Sequence, residues 1–252
     1  MIAGIIPARY AASRFPGKPL ADIAGKTMVQ RVWEQAQKSK SLDKVVVATD
    51  DARIFDHVVS FGGEAIMTAT DHPSGTDRCM EALQKLGGGY DYVINIQGDE
   101  PFIQPEQIDE LAAVLDGKVQ LATLVTNVES EALLFSEGEA KVVLNHKNEA
   151  LYFSRSVIPA IKGKPSGQWL ERFPYVRHVG MYAYRTDTLA AITKLPVGRL
   201  EAAEGLEQLR WLEAGYPVQC AFTRFESYCI DEPDDIARVL GLISGRMEGR
   251  DH

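Results

Sequence analysis

Three cations and one carboxylate stand out as residues able to do chemistry. Arg9, Arg14 and Lys18 follow the apolar run Ile2-Ala3-Gly4-Ile5-Ile6 in close succession, within a loop rich in Pro and Gly. Like charges so near one another repel in water, and an anion between them relieves the repulsion. A phosphate is the natural candidate, although basic residues in such loops commonly stay solvated. The loop carries neither G-x-x-x-x-G-K-[ST] nor G-x-G-x-x-G, so any phosphate binding must rest on side chains. Asp99 ends a second apolar run, in Gln97-Gly98-Asp99-Glu100-Pro101. A carboxylate facing a cationic loop across one sheet edge suits an Mg²⁺-nucleotide site, and its alternative role is to cap a helix starting near Pro105. Glu100, beside a proline, reads as structural.

These residues need a scaffold that brings strand ends together. Ile2 to Ile6 and Lys44 to Thr49 read as buried strands, and Glu64 to Thr68 as a short third one. Between them, Met28, Val29, Val32, Trp33 and Ala36 recur at helical spacing over 27–38. Ile54, Phe55, Val58 and Val59 mark a second helix, which Gly62-Gly63 stops. This βαβαβ rhythm predicts a mostly parallel sheet flanked by helices, with ligands at the carboxyl ends of its strands. Ser74 or Thr76 can cap the next helix, whose apolar side carries Met80, Leu83 and Leu86. Alternatively, Ser74 and Arg78 offer donors to a nucleotide at that helix terminus.

Tyr92 to Ile96 and Leu121 to Val125 continue the strands. From Lys141 the pattern changes: Lys141–Leu144 and Ala150–Ser154, separated by a polar turn, predict a hairpin and hence an antiparallel extension. Alternation in 175–185 puts His178, Gly180, Tyr182 and Tyr184 on one face, suited to a polyol or to a subunit contact. A helix over 201–214 packs through Leu206, Leu209 and Leu212, with most of its glutamates solvated. Strands over 218–223 and 227–230 follow. Asp231 then has the type and position of an N-cap for a last helix that turns Ile236, Val239, Leu240 and Ile243 inward.

Composition narrows the function classes. The chain has 252 residues, 45% hydrophobic and 25% charged, as expected of a soluble globular protein. Its net charge of -8 argues against a nucleic-acid binder, so an anionic ligand must meet a local basic patch. No apolar run is long enough to cross a membrane, and the N-terminal run lacks the cationic leader of a signal peptide, which points to a cytoplasmic protein. Cys79, Cys220 and Cys229 are scattered and read as buried free thiols. A nicotinamide dehydrogenase is disfavoured by the missing G-x-G-x-x-G.

Taken together, several stretches resemble one family in order and over nearly the whole chain. They are Ile-Pro-Ala-Arg-Tyr (6–10), Arg-Phe-Pro-Gly-Lys-Pro-Leu (14–20), Ala-Thr-Asp-Asp (48–51), Ser-Gly-Thr-Asp-Arg (74–78), Gln-Gly-Asp-Glu-Pro (97–101), Ala-Leu-Tyr-Phe-Ser-Arg (150–155) and Leu-Glu-Gln-Leu-Arg (206–210). The family is that of the 3-deoxy-manno-octulosonate (Kdo) cytidylyltransferases of lipopolysaccharide biosynthesis.

The resemblance implies a glycosyltransferase-A-like α/β fold and an Mg²⁺-dependent reaction of CTP with Kdo, giving CMP-Kdo and pyrophosphate. It implies one nucleotidyltransferase domain over 1–252, with a sugar-binding and dimerisation region at about 120–210, and a homodimer. By position, Arg9, Lys18 and Asp99 would be catalytic, and Arg9, Arg14, Lys18, Ser74 and Arg78 would hold the nucleotide. Gln97, Arg155, His178, Tyr184, Glu207 and Gln208 would hold the sugar acid, and Asp99 and Asp231 the metal. The resemblance departs at Asp231-Glu232-Pro233-Asp234-Asp235, where the family reads Asp-Thr-Pro-Glu-Asp, and at Val197-Gly198-Arg199. Rival readings are enzymes that activate an 8-amino analogue of Kdo or a sialic acid, sugar-1-phosphate nucleotidyltransferases, and a non-catalytic nucleotide-binding protein.

Overall fold

The β-branched runs form strands and the amphipathic runs form helices, in an alternating order. The computed structural model describes residues 1–11 and 14–248, so Ala12 and Ser13 of the basic loop lie outside the described residues. In chain order the elements are β1 (Ile2–Ala8), α1 (Met28–Ala36), β2 (Lys44–Thr49), α2 (Ala52–Ser60), β3 (Ala65–Met67), α3 (Gly75–Leu86), β4 (Tyr92–Asn95) and α4 (Pro105–Ala112). There follow β5 (Leu121–Asn127), α5 (Glu131–Phe135), β6 (Lys141–Leu144), β7 (Ala150–Ser154), β8 (Val176–Arg185) and α6 (Thr186–Ile192). The chain ends with α7 (Arg199–Glu204), α8 (Gln208–Glu213), β9 (Val218–Phe222) and α9 (Pro233–Glu248). It divides into two units: unit 1 holds 1–89, 95–105 and 226–252, and unit 2 holds 90–94 and 106–225.

In unit 1, β1 pairs with β2 and β2 with β3, all parallel. Ile5, Ile6, Val46 and Val47 are fully buried, and each contributes about 1.5–3 kcal/mol of transfer free energy. Thr27 caps α1, which buries Met28, Val29, Val32 and Ala36. In α2 the buried face narrows to Ile54 and Val58, while Val59 is exposed, against expectation. On α3 the buried stripe runs through Cys79, Ala82 and Leu83. A separate cluster of Ile23, Met28, Ile230 and Val239, with Phe15, Ile236, Leu240 and Ile243 packed on it, anchors the basic loop and α9.

Unit 2 is mixed. β5 runs antiparallel to β8 and parallel to β9, and β6 pairs antiparallel with both β7 and β8, the expected hairpin extension. A bulge leaves Gly180 and Met181 without partners opposite, because Thr123 pairs with Tyr182 while Leu124 pairs with Val179.

Three expectations fail for physical reasons. The helix over 201–214 is two helices, broken at Gly205, which adopts φ +63 and ends α7. Trp211, rather than Leu212, fills the core there. Residues 227–230 make no ladder; the Ile230 amide instead donates to the Asp99 carbonyl at 3.0 Å. Asp231 does not cap α9: the helix begins at Pro233, so Asp231 stands one residue before the cap position, and Asp235 Oδ2 accepts from the amides of Asp231 (2.9 Å) and Glu232 (3.0 Å). That leaves the Asp231 carboxylate available for other partners.

Candidate active site

The carboxyl ends of β1 and its neighbours surround a cavity of about 300 Å³, lined entirely by unit 1 residues. Arg9, Arg14, Lys18, Ser74, Arg78, Gln97, Asp99 and Asp231 all border it. Every residue expected for nucleotide and metal therefore shares one cavity, together with Gln97. Gly98 makes the close approach possible: a Cβ there would stand 2.7 Å from the Pro7 carbonyl oxygen. Any side chain would push Asp99 away from β1.

Lys18 is the centre of the charge arrangement. Its ammonium donates to Asp99 Oδ2 (2.9 Å), to the Ile230 carbonyl (2.9 Å) and to Asp231 Oδ1 (3.3 Å). Burial works against its charge, yet the neighbouring Asp99 and Asp231 carboxylates raise its pKa above the ordinary value. Arg14 reaches Asp231 Oδ1 at 3.3 Å. Arg9 is exposed and has no ion pair among the described residues, so its guanidinium is free to meet an anion.

The donor set can be tested against a metal ion. One ligand atom each from Asp99, Cys229 and Asp231 lies within 4.8 Å of the others. Two hard carboxylate oxygens suit Mg²⁺, which normally takes one or two carboxylates plus water and substrate phosphates. The Cys229 thiol does not match that ion, and burial raises its pKa, with Asp99 and Asp231 adding to the effect. A cation already stands between the carboxylates in the form of the Lys18 ammonium, so the place is built for positive charge.

Ser74 and Arg78 are both partly committed. Ser74 caps α3, accepting from the Asp77 amide at 3.3 Å, which is the cap alternative. Arg78 is 3% exposed, and its guanidinium bonds Asp50 (2.9 Å), Thr68 (2.6 Å) and the Ala69 carbonyl (3.2 Å). It borders the cavity as a braced wall. Asp50, its ion-pair partner, was legible only as a carboxylate at the end of β2.

The remaining sugar candidates are in unit 2. The His178 ring, tilted against that of Tyr182 (centroids 5.1 Å apart), meets Thr123 Oγ1 at 2.8 Å. Because the Thr123 hydroxyl donates to the Met181 carbonyl at 2.7 Å, it accepts from His178 Nε2–H. Burial, then Arg177, lowers the His178 pKa to about 3, so its imidazole is neutral. Tyr184 is fully buried, stacked on Tyr182 (6.1 Å) and edge-on to Trp211 (5.6 Å). Gln208 is 3% exposed, and its Nε2 has no hydrogen-bond partner, an orphan donor that a ligand oxygen would satisfy. Glu207, at the start of α8, is close enough to Tyr182 to raise its phenol pKa further after burial.

Arg155 donates to the carbonyls of Glu204 (2.8 Å), Glu137 (2.9 Å) and Gly205 (3.4 Å), leaving two of its five N–H groups. Glu204, expected in solvent, instead accepts from Ser154 Oγ (2.7 Å) and the Arg155 amide (2.9 Å). Sequence reasoning missed His72 and Cys229. A lone histidine in a loop and a lone cysteine carry no spacing signal, and only the fold sets His72 on the cavity and Cys229, half-buried, beside the carboxylates.

The cytidylyltransferase family profile matches residues 3–224. The chain is 53% identical to a 3-deoxy-manno-octulosonate cytidylyltransferase of Parabacteroides distasonis, over 96% of this chain and 98% of that protein. It is 46% identical to an 8-amino-3,8-dideoxy-manno-octulosonate cytidylyltransferase of Shewanella pealeana, over 92% and 94%. A CMP:2-keto-3-deoxy-manno-octonic acid synthetase solved with CTP superposes with a TM-score of 0.89 at 41% identity, covering 97% of this chain and 99% of that one. With the expected α/β fold, the ordered motifs and near-complete coverage in agreement, the chain belongs to the 3-deoxy-manno-octulosonate cytidylyltransferase family.

Proposed function

We propose that the protein activates Kdo with CTP, forming CMP-Kdo and pyrophosphate for lipopolysaccharide biosynthesis. The observation that carries this reading is the unit 1 cavity, where Arg9, Arg14 and Lys18 face Asp99 and Asp231, in a chain 53% identical to a Kdo cytidylyltransferase. The anomeric 2-hydroxyl of Kdo gives up its proton to solvent as it attacks the α-phosphorus of CTP. A C2–O–P link forms, the bond from the α-phosphorus to the bridging oxygen breaks, and pyrophosphate leaves with that electron pair.

The chain's own residues act at each stage. Arg9 and Arg14 hold the triphosphate by charge-assisted hydrogen bonds, and Lys18 turns from its carboxylates to the leaving pyrophosphate. Ser74 and Arg78 wall the cytidine end, and Gln97 borders the same cavity on behalf of the sugar. Arg155 offers its two remaining N–H groups to the sugar carboxylate, while His178, Glu207 and Gln208 take hydroxyls. Tyr184 supports His178 from behind through Tyr182. Asp99 and Asp231 would hold Mg²⁺, which when bound supplies positive charge against the nucleotide phosphates.

A second reading has specific support: the 46% identity to an enzyme named for the 8-amino analogue makes that sugar the rival substrate. Purified protein incubated with Mg²⁺, each of CTP, UTP, ATP and GTP, and each of Kdo, its 8-amino analogue and a sialic acid decides between them. Pyrophosphate is expected from CTP with Kdo only. Release with the analogue alone moves the reading to the rival, and silence with every pair refutes both. We further propose a cytoplasmic homodimer, in keeping with soluble substrates and with a chain in which no described helix is long and apolar enough to cross a membrane. The dimer contact would involve residues at about 120–210, where Leu151, Val197 and Phe135 expose apolar side chains.

A further inference from the structure

Cytosine and uracil differ at one edge position, an amino donor in the first and a carbonyl acceptor in the second. The 72–78 wall of the unit 1 cavity presents three polar side chains that could read that difference, those of His72, Ser74 and Arg78. Two are occupied. The Ser74 hydroxyl donates to Asp77 Oδ2 at 2.7 Å while capping α3, and the Arg78 guanidinium is bonded to Asp50, Thr68 and Ala69. His72, its side chain 18% exposed, has one ring nitrogen left.

Its other nitrogen, Nε2, meets the Glu81 carboxylate. Glu81 also accepts from the Ala69 amide at 2.8 Å and pairs with Lys85 at 2.7 Å. Burial opposes the charge on Glu81, yet the hydrogen bonds from Lys85, the Ala69 amide and His72 outweigh it and hold the carboxyl at about 2. An ionised carboxylate only accepts, so Nε2 carries the proton, and in the neutral imidazole Nδ1 is an acceptor.

We propose that His72 selects cytosine over uracil by accepting a hydrogen bond at Nδ1 from the 4-amino group of the base, with Glu81 as the positioning residue that fixes its tautomer. The inference rests on the CTP-dependent reading above. With uracil, two acceptors would face each other and Nδ1 would stay unsatisfied. Glu81 acts twice, since its bond to the Ala69 amide also holds the start of the loop that carries His72.

The test compares dissociation constants for CTP and UTP, measured by calorimetry without sugar, and KM values for the two nucleotides where turnover occurs. In His72→Leu the preference for CTP should fall by roughly tenfold to a hundredfold through weaker CTP binding. His72→Asn, whose side-chain oxygen can stand near Nδ1, should recover part of the preference, and Glu81→Gln should give an intermediate loss. In histidine-¹⁵N spectra of the free protein, Nδ1 of His72 should be unprotonated, and its signal should move with CTP and not with UTP. An unchanged CTP preference in His72→Leu, or a protonated Nδ1, overturns the assignment. Wild-type protein that binds CTP over UTP but releases no pyrophosphate with any sugar acid overturns the functional reading alone.

Discussion

At the scale of residues, the chemistry depends on which carboxylates stay ionised beside which cations. Asp99 has Lys18 at 2.9 Å and no structural duty as a helix cap, so its charge is available to a metal ion. Asp99→Asn should keep the fold and lower turnover by about a hundredfold or more, because an amide is a poor Mg²⁺ ligand and a poor partner for Lys18. Circular dichroism with a pyrophosphate assay checks both halves, and near-normal turnover would sink the metal role. Arg9, Arg14, Lys18 and Asp99 were legible in the sequence because their type and place, charges following apolar runs, are themselves the signal. The engagement of Arg78 by Asp50 was not legible, since a contact between residues 28 positions apart depends on how α3 sits against β2. For the same reason nothing in the sequence marked Cys229 as a neighbour of the carboxylates.

At the scale of elements, position is set by close backbone approach and by helix ends. Gly98 lets the segment after β4 lie against Pro7, and Ile96 donates to the Ile5 carbonyl at 2.9 Å just before it. Gly98→Ala should cost about 1–3 kcal/mol of stability and most of the activity, since the added methyl displaces Asp99. Urea unfolding alongside the pyrophosphate assay measures this, and a fully active, equally stable variant would contradict it. The strands β1, β2 and β3 and the helices between them were legible because periodicity and burial coincide there. The break at Gly205 and the missing ladder over 227–230 were not. A glycine within an apolar-periodic stretch looks like a tolerated interruption until its φ is known, and short apolar runs pair only if a partner strand lies alongside. The Asp231 cap failed similarly, because the helix starts at Pro233, one residue later than that cap requires, and Asp235 ties down the Asp231 and Glu232 amides instead.

At the scale of the molecule, a chain of net charge -8 sets four of its 27 Lys and Arg residues, Arg9, Arg14, Lys18 and Arg78, around one cavity, a local basic patch on an acidic whole. The proposed homodimer predicts a sedimentation coefficient for twice 27.8 kDa at micromolar concentration, and a monomer across that range would refute it. The division into two units was invisible in the sequence, because unit 1 gathers three separated stretches of chain. One last property follows from the ammonium of Lys18 lying between Asp99 and Asp231. The protein carries its own counter-ion, so stripping divalent ions with a chelator should leave its melting temperature within about 1–2 °C of the untreated value. Lys18→Met would transfer that duty to the solvent: its melting temperature should fall on chelation and climb back as Mg²⁺ is added, turning a stable resting fold into a metal-dependent one.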